Sequence, residues 1–266
     1  MLACSKGHSY DRAKEGYINL LLANRKRSLE PGDSKDMLSA RSRVHEAGLF
    51  EPLANAIEQQ MTHMPNTPTQ VLDMGCGEGY YSAALKAALP SAEVLGIDIA
   101  KPAVRWAAKK CPEGSFAVAS MADIPLPDAS LDLVASVFAP IDEAELSRVL
   151  KPGGSYLKIT PAPRHLWELR SLLYNTPRPH KDEPPQPAHF ESVVKELLHY
   201  SVDIEGEMLR DLVAMTPYAH RGQRENRERL SNAEKLTIQM SFNISLMRYQ
   251  PEVAVGEGAL KPFQWP

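Results

Sequence analysis

Long apolar runs are missing from this 266-residue chain. No stretch of about 18 consecutive apolar residues is present, so no membrane-crossing helix is expected. The opening Met1-Leu-Ala-Cys-Ser-Lys leaves no room for the apolar core of a signal peptide, and the expectation is a soluble, cytoplasmic protein without a membrane partner. Cysteine is scarce: Cys4, Cys76 and Cys111 are too few and too scattered for a disulfide framework. Internal repeats are absent, and a composition of 43% hydrophobic and 24% charged residues excludes wholesale disorder, collagen and coiled coil. Net charge is nearly absent too, at −3, but that total hides a gradient. Residues 1–50 hold 9 Lys+Arg against 6 Asp+Glu, whereas residues 51–160 hold 8 against 13. A basic N-terminal segment on an acidic middle points to an anionic partner on one side only.

What is present is strand–helix alternation from Thr69 to Thr160. Gln70-Val-Leu-Asp-Met reads as a buried strand that ends in glycines 75, 77 and 79, and Tyr80 to Leu89 as a helix closed by Pro90. Glu93–Asp98 is a second strand, Lys101–Lys110 a second helix, Phe116–Ala119 a third strand and Leu131–Phe138 a fourth. A helix over Asp142–Leu150 leads through the turn Lys151-Pro-Gly-Gly154 into the strand Ser155–Thr160. This spacing predicts an α/β fold: a Rossmann-like, mostly parallel, seven-stranded sheet with helices on both faces. Upstream, residues 1–33 form a small N-terminal module and an amphipathic stretch runs from Ser34 to Gln60; the main domain extends over residues 34–250. Seven prolines in residues 161–187 mark an irregular excursion. Beyond it a helix is expected around Glu191–Leu198, a strand near Tyr200–Ile204, a helix at Gly206–Met215, and a long strand near the sheet edge from the period-two run after Thr237. Residues 251–266 have no periodicity and are expected to be a tail.

The glycine loop carries the chemistry. A Gly-rich turn between strand and helix lets backbone N–H groups approach a ligand closely. The spacing here is Gly75-x-Gly77-x-Gly79, where a dinucleotide fingerprint would show Gly-x-Gly-x-x-Gly. Asp73 sits two residues before Gly75, where it would repel a pyrophosphate and tolerate a sulfonium with an α-amino group. Asp98 ends the second strand, 19 residues after Gly79; it either accepts the ribose hydroxyls of an adenosine or caps the helix that follows, or does both. A cation-tolerant loop, a ribose acid and no phosphate site together suggest S-adenosylmethionine. After the third strand, Ser120 stands where related enzymes carry an adenine-binding acid, Asp123 follows three residues on, and Met121 is expected over the adenine face. Cys76 reads as a small space-filler.

Four blocks then resemble the ribosomal RNA (guanine-N1)-methyltransferases of the large subunit. They are Arg12-Ala-Lys-Glu-Gly-Tyr-Ile-Asn-Leu-Leu; Pro31-Gly-Asp-Ser with Ala40-Arg and Ala47-Gly; Asp73 through Tyr81; and Pro163-Arg-His-Leu-x-Glu-Leu with Met215-Thr-Pro. The likeness spans residues 4 to about 249. It implies a class I methyltransferase acting on large-subunit ribosomal RNA, with a donor site that Phe50, Tyr81, Ser82 and His165 complete. It also implies an N-terminal zinc module, of which this sequence holds only Cys4 and His8. Two ligands cannot close a four-coordinate structural zinc site, so either the true start lies upstream or the module has lost its metal.

For such an enzyme, most of the rate should come from positioning the reactants for in-line transfer, and a group must accept the guanine N1 proton. Phe138 and Pro140, after the fourth strand, stand where a target base would dock; Phe138 either stacks on it or packs the core. Asp142 is the nearest acid, or only a helix cap. Arg25, Lys26 and Arg27, with Arg41 and Arg43, are candidates for phosphate contacts, and a homodimer is conceivable. Two rivals stand: a small-molecule methyltransferase with the Pro-rich segment as a lid, and a donor-binding regulator without turnover. A nicotinamide oxidoreductase is disfavoured by Asp73 and the glycine spacing.

Overall fold

The computed structural model describes residues 2–3, 9–21, 32–181, 185–216 and 233–251. Strands β1 (Leu2–Ala3) and β2 (Ser9–Tyr10) pair antiparallel as a small ribbon. The chain then runs through β3 (Ile18–Asn19) to helices α1 (Lys35–Glu46) and α2 (Glu51–Met61). Ser34 caps α1 by accepting the Met37 N–H at 3.2 Å. The amphipathic stretch breaks into two helices at Gly48, whose φ of +79° favours glycine.

The central unit follows in strict alternation: β4 (Gln70–Met74), α3 (Tyr80–Ala88), β5 (Glu93–Asp98), α4 (Lys101–Lys110), β6 (Ser115–Val118), β7 (Leu131–Val137), α5 (Glu143–Val149) and β8 (Leu150–Pro161). The last part of the chain supplies α6 (Trp167–Leu173), β9 (Phe190–Glu205), α7 (Gly206–Ala214) and β10 (Lys235–Tyr249). One mixed sheet has the order β3-β6-β5-β4-β7-β8-β10-β9, parallel from β3 to β8 and antiparallel at β10. Strands β4, β7 and β8 run as apolar residues buried on both faces, as a helix-covered parallel sheet requires.

Three expectations need correction. The sheet has eight strands, because Ile18–Asn19 in the N-terminal module pairs with Ala117–Val118 and extends the parallel edge. The stretch Glu191–Leu198 is strand: its helix-like spacing is overridden by an antiparallel ladder from Phe190↔Tyr249 to Glu205↔Lys235, broken only by a bulge at Val193. That strand takes the sheet edge, and the long strand β10 lies beside it, near the edge as its period-two run predicts. The Pro-rich excursion is not wholly irregular either; α6 forms between Pro163 and Pro177 and buries Leu169 and Leu173. Residues 252–266, expected as a tail, lie outside the described residues.

The sheet order reverses at β4, with β5 on one side and β7 on the other. In open α/β sheets the ligand crevice lies at such a switch point, beyond the carboxyl ends of the strands. Helices α1 and α7 are tied to each other over that end: the Arg43 guanidinium donates to both Asp211 oxygens at 2.6 Å.

Candidate functional site

The turn after β4 is built by its own backbone. The N–H groups of Gly75 and Cys76 donate to the Ile97 carbonyl at 2.9 and 3.0 Å, folding the loop over the end of β5. Gly75 and Gly77 adopt φ values of +78° and +53° that other residues rarely reach. A Cβ on Gly75 would meet the Ala139 Cβ at 2.6 Å, so the loop fits closely against the end of β7. Asp98 anchors the turn from the other side. Its Oδ2 accepts the Gly77 N–H at 3.0 Å and its Oδ1 accepts the Ala100 N–H at 2.8 Å. It therefore caps the start of α4 while lining the cleft, and burial pushes its carboxyl up.

Above this loop opens a cleft of about 800 Å³. One wall comes from α1 and the turn before it. Arg41 there forms an ion pair with Asp33 at 2.7 Å and donates to the Met215 carbonyl at 3.4 Å. Four residues along the same helix face, the His45 Nδ1 lies 2.7 Å from the Glu78 carboxylate, with both groups buried. Glu78 also accepts the Tyr80 N–H at 3.0 Å and faces the Lys110 ammonium at 3.3 Å. Burial raises Glu78, but these partners outweigh it and hold its carboxyl below the ordinary range. Burial pulls His45 down, against the opposing pull of the Glu78 carboxylate to which it is hydrogen-bonded. Its ring stacks on Tyr80 with centroids 4.1 Å apart and meets Phe50 edge-on at 5.2 Å. Tyr81 lines the same wall, and its buried hydroxyl has no hydrogen-bond partner among the described residues.

The far end of the cleft is aromatic and basic. Phe138 follows β7 with φ +57°, a left-handed conformation that is strained for a bulky residue. It is 43% exposed although it belongs to a cluster with Phe50, Tyr81, His165 and Phe242. Pro140 lines the cleft beside it. Across from Phe138 stands His165, with Arg170 and His180 beyond. His165 is pushed down to about 3, chiefly by burial and then by the positive potential of His180 and Arg170.

The cleft therefore gathers Arg41, Phe50, Gly75, Gly77, Tyr81, Asp98, Met121, Phe138, Pro140 and His165 from the sequence-based set. Asp73, Gly79, Ser82 and Ser120 fall outside its lining. Asp73 is buried under the loop, accepts the Ser82 hydroxyl at 2.5 Å and is pushed up to about 7 by that burial, so it supports the loop from beneath. Gly79 serves helix packing: a Cβ there would strike the Ala107 Cα at 2.6 Å. The Ser120 hydroxyl turns back to accept the Ala122 N–H at 3.2 Å. Asp142 caps α5 and is no part of the cleft. Arg41 and Arg43, candidates for phosphate contacts, form ion pairs with Asp33 and Asp211, and Arg41 also lines the cleft. Arg25, Lys26 and Arg27, like the metal candidates Cys4 and His8, lie outside the described residues. Among the described residues no cluster of His, Cys, Asp and Glu could hold a metal, and Cys76 and Cys111 are buried in the main domain.

Asp33, His45, Glu78, Arg170 and His180 were missed. The spacing of Arg41 and His45, and the position of Glu78 within the loop, were available signals. Arg170 and His180 offered none, since only the fold brings them to β7.

Residues 71–154 match the Methyltransferase domain family, and residues 1–29 match the family described as RlmA, N-terminal. The chain is 34% identical to a 23S rRNA (guanine(748)-N(1))-methyltransferase of Streptomyces fradiae, over 91% of this chain and 90% of that protein. Two proteins provisionally named 23S rRNA (guanine-N(1)-)-methyltransferases are also similar. One, from Micromonospora griseorubida, is 36% identical over 65% of this chain and 62% of its own length. The other, YxjB of Bacillus subtilis, is 35% identical over 67% and 64%.

Proposed function

The chain belongs to the 23S rRNA (guanine-N1)-methyltransferase family, and from that premise we propose that it transfers a methyl group from S-adenosylmethionine to N1 of a guanine in large-subunit ribosomal RNA. The observation that carries this reading is the continuity of the cleft. A glycine loop with a carboxylate at its edge and an exposed aromatic ring on a strained backbone open into one space.

The residues fit the donor. Asp98 has lone pairs left for ribose hydroxyls after its two backbone bonds, since each carboxylate oxygen accepts more than one hydrogen bond. Met121 offers an apolar surface for the adenine. The unpartnered Tyr81 hydroxyl and the Arg41 guanidinium supply a donor set for the amino-acid end. When bound, the donor supplies a methyl group already activated on a sulfonium. The protein's part is then to orient the reactants. Phe138 stacks on the target base, Pro140 limits its travel, and Phe50 closes over the donor. The target must be unstacked to reach this depth, at a cost of a few kcal/mol. Arg25, Lys26 and Arg27 contribute phosphate contacts on the basic side.

The test is transfer of labelled methyl to protein-free, unmodified large-subunit RNA, followed by nuclease digestion and nucleoside analysis. Label in 1-methylguanosine is the expected result, with a rate that falls as salt rises. Donor binding with no label in RNA would overturn the reading.

A further inference from the structure

Residues 51–160 hold 8 lysines and arginines against 13 acids, and four of those cations fall on the single helix α4. The other four are engaged inside the fold. Lys86 donates to the Pro90 and Ala92 carbonyls, Arg148 pairs with Glu145 and Asp128, Lys151 pairs with Asp132, and Lys158 is buried. Helix α4 carries no acid, and its cations divide in two. Lys110 turns inward to Glu78 at 3.3 Å. Lys101, Arg105 and Lys109 recur at every fourth residue, so they share one face, about 6 Å apart along the axis. All three are exposed, while Ala103, Val104, Ala107 and Ala108 bury the other face.

Among the described residues the Lys101 and Lys109 side chains enter no ion pair or hydrogen bond. Lys109 in the last turn at least complements the helix dipole, but Lys101 in the first turn opposes it. A local rule broken without local compensation is expected where a position serves something outside the fold. The face is continuous with two other features. At its start, Lys101 follows Asp98 and Ile99, which line the cleft. Halfway along, Arg105 pairs with Glu15 at 2.8 Å and ties α4 to the N-terminal module, where Arg12 and Lys14 are also exposed. That pair covers the Glu15 side chain to 8% exposure and leaves Arg105 at 48%, so the charge shown to solvent is positive.

We infer that the outer face of α4, with Arg12 and Lys14 of the N-terminal module, is a phosphate track for the substrate RNA, whose backbone leaves the cleft past Lys101 and follows the helix to Lys109. This assignment rests on the RNA-methylating reading above. Charge complementarity selects the occupant: a line of cations free of exposed acids attracts a polyanion whose own charges repeat along its length. A protein partner fits less well. The exposed large apolar side chains among the described residues are Phe138, Val193 and Leu197, and none lies on α4, so the face lacks the apolar anchor such a partner would grip. Contacts of this kind read no sequence; they hold the RNA in register while the cleft takes the base.

The test compares two double variants of the full chain. One joins Lys101→Gln with Lys109→Gln; the other joins Lys195→Gln with Lys235→Gln, exposed cations on β9 and β10 at the far side of the sheet. Both lose the same net charge. Affinity for protein-free, unmodified large-subunit RNA is read across a salt series, and methyl transfer is read at limiting and saturating RNA. The α4 pair is expected to flatten the slope of log affinity against log salt by about 1.5, for two lost phosphate contacts. Its KM for RNA should rise several-fold at low salt, with kcat and donor affinity unchanged, and the β9–β10 pair should match the wild type. On the wild type itself, RNA should shield Lys101 and Lys109 from acetylation but not Lys195 and Lys235. Equal changes in both pairs would reduce the effect to net charge and overturn the assignment. An α4 pair that matches the wild type, with no shielding, would overturn it while labelled 1-methylguanosine leaves the function intact. Weakened donor binding with an unmoved slope would move the face to the donor site and likewise overturn it. A wild type that leaves RNA unlabelled would overturn the function, and the assignment with it.

Discussion

The two ends of the cleft are made of different material. At the donor end the groups that matter are backbone N–H groups, glycine conformations and one carboxylate, drawn from the contiguous stretch Asp73–Asp98. At the aromatic end they are side chains: Phe138 from the end of β7, His165, whose Nδ1 accepts the Ser241 N–H of β10, Arg170 from the same segment after β8, and His180 further on. The glycine-loop end is thus held by local hydrogen bonding, whereas at the aromatic end the Phe138 N–H donates to the Ile159 carbonyl of β8 and β10 pairs antiparallel with the same strand. Damage to one end should leave the other working. Binding of the donor and turnover of the RNA are therefore expected to separate.

The sharpest break in that comparison is Asp98→Ala. Loss of a charged acceptor should weaken donor binding by about 1.5–3 kcal/mol, roughly ten- to hundredfold, and single-turnover rates at saturating donor should change far less. Calorimetry beside a donor-saturated assay checks it; a turnover defect that saturating donor does not relieve would erase the distinction between the ends. Phe138 sharpens it from the other side. Removing a base-stacking ring should lower RNA turnover by about 1–3 kcal/mol, with donor affinity retained. Phe138→Gly should also be more stable than Phe138→Ala by about 1 kcal/mol, since only glycine adopts φ +57° without strain. Equal melting temperatures for the two variants would show that the left-handed backbone stores nothing.

Asp132, remote from both ends, calibrates the scale. Burial raises its carboxyl, but the Lys151 ammonium at 2.6 Å and the N–H groups of Thr69 and Gln70 outweigh that and hold it down at about 2. A depressed carboxyl gives stability that is present above its ordinary value of 3.8 and lost as pH falls through about 2. Asp132→Asn should therefore cost about 1 kcal/mol at neutral pH, a modest amount because the group is partly exposed. The variant's melting temperature should approach that of the wild type at the acid end of a pH series. A loss of methyl transfer in this variant beyond its loss of stability would tie Asp132 to the cleft.

How much of this was legible depends on how far apart the partners lie. The alternation from Gln70 to Pro161 was readable because each element carries its own apolar period and its own glycine or proline stops. The stretch Glu191–Leu198 was misread because its local spacing suits a helix, and only the ladder with β10 makes it strand. Asp73 illustrates a subtler limit. Its place before the glycines pointed to the ligand, yet the strand register turns its side chain under the loop to Ser82. Arg41 and Arg43 were chosen for their charge, and charge alone does not tell a phosphate ligand from a partner of Asp33 or Asp211.

The sequence by itself determined the donor half of this protein, because a glycine loop and the acid that closes it act through backbone within a single strand–helix–strand unit. Only the tertiary structure decided the aromatic half. Phe138, His165, Arg170 and His180 have no meaning for one another until β8 and β10 pair, and a side chain's exposure is fixed by neighbours that the chain brings from far along its length.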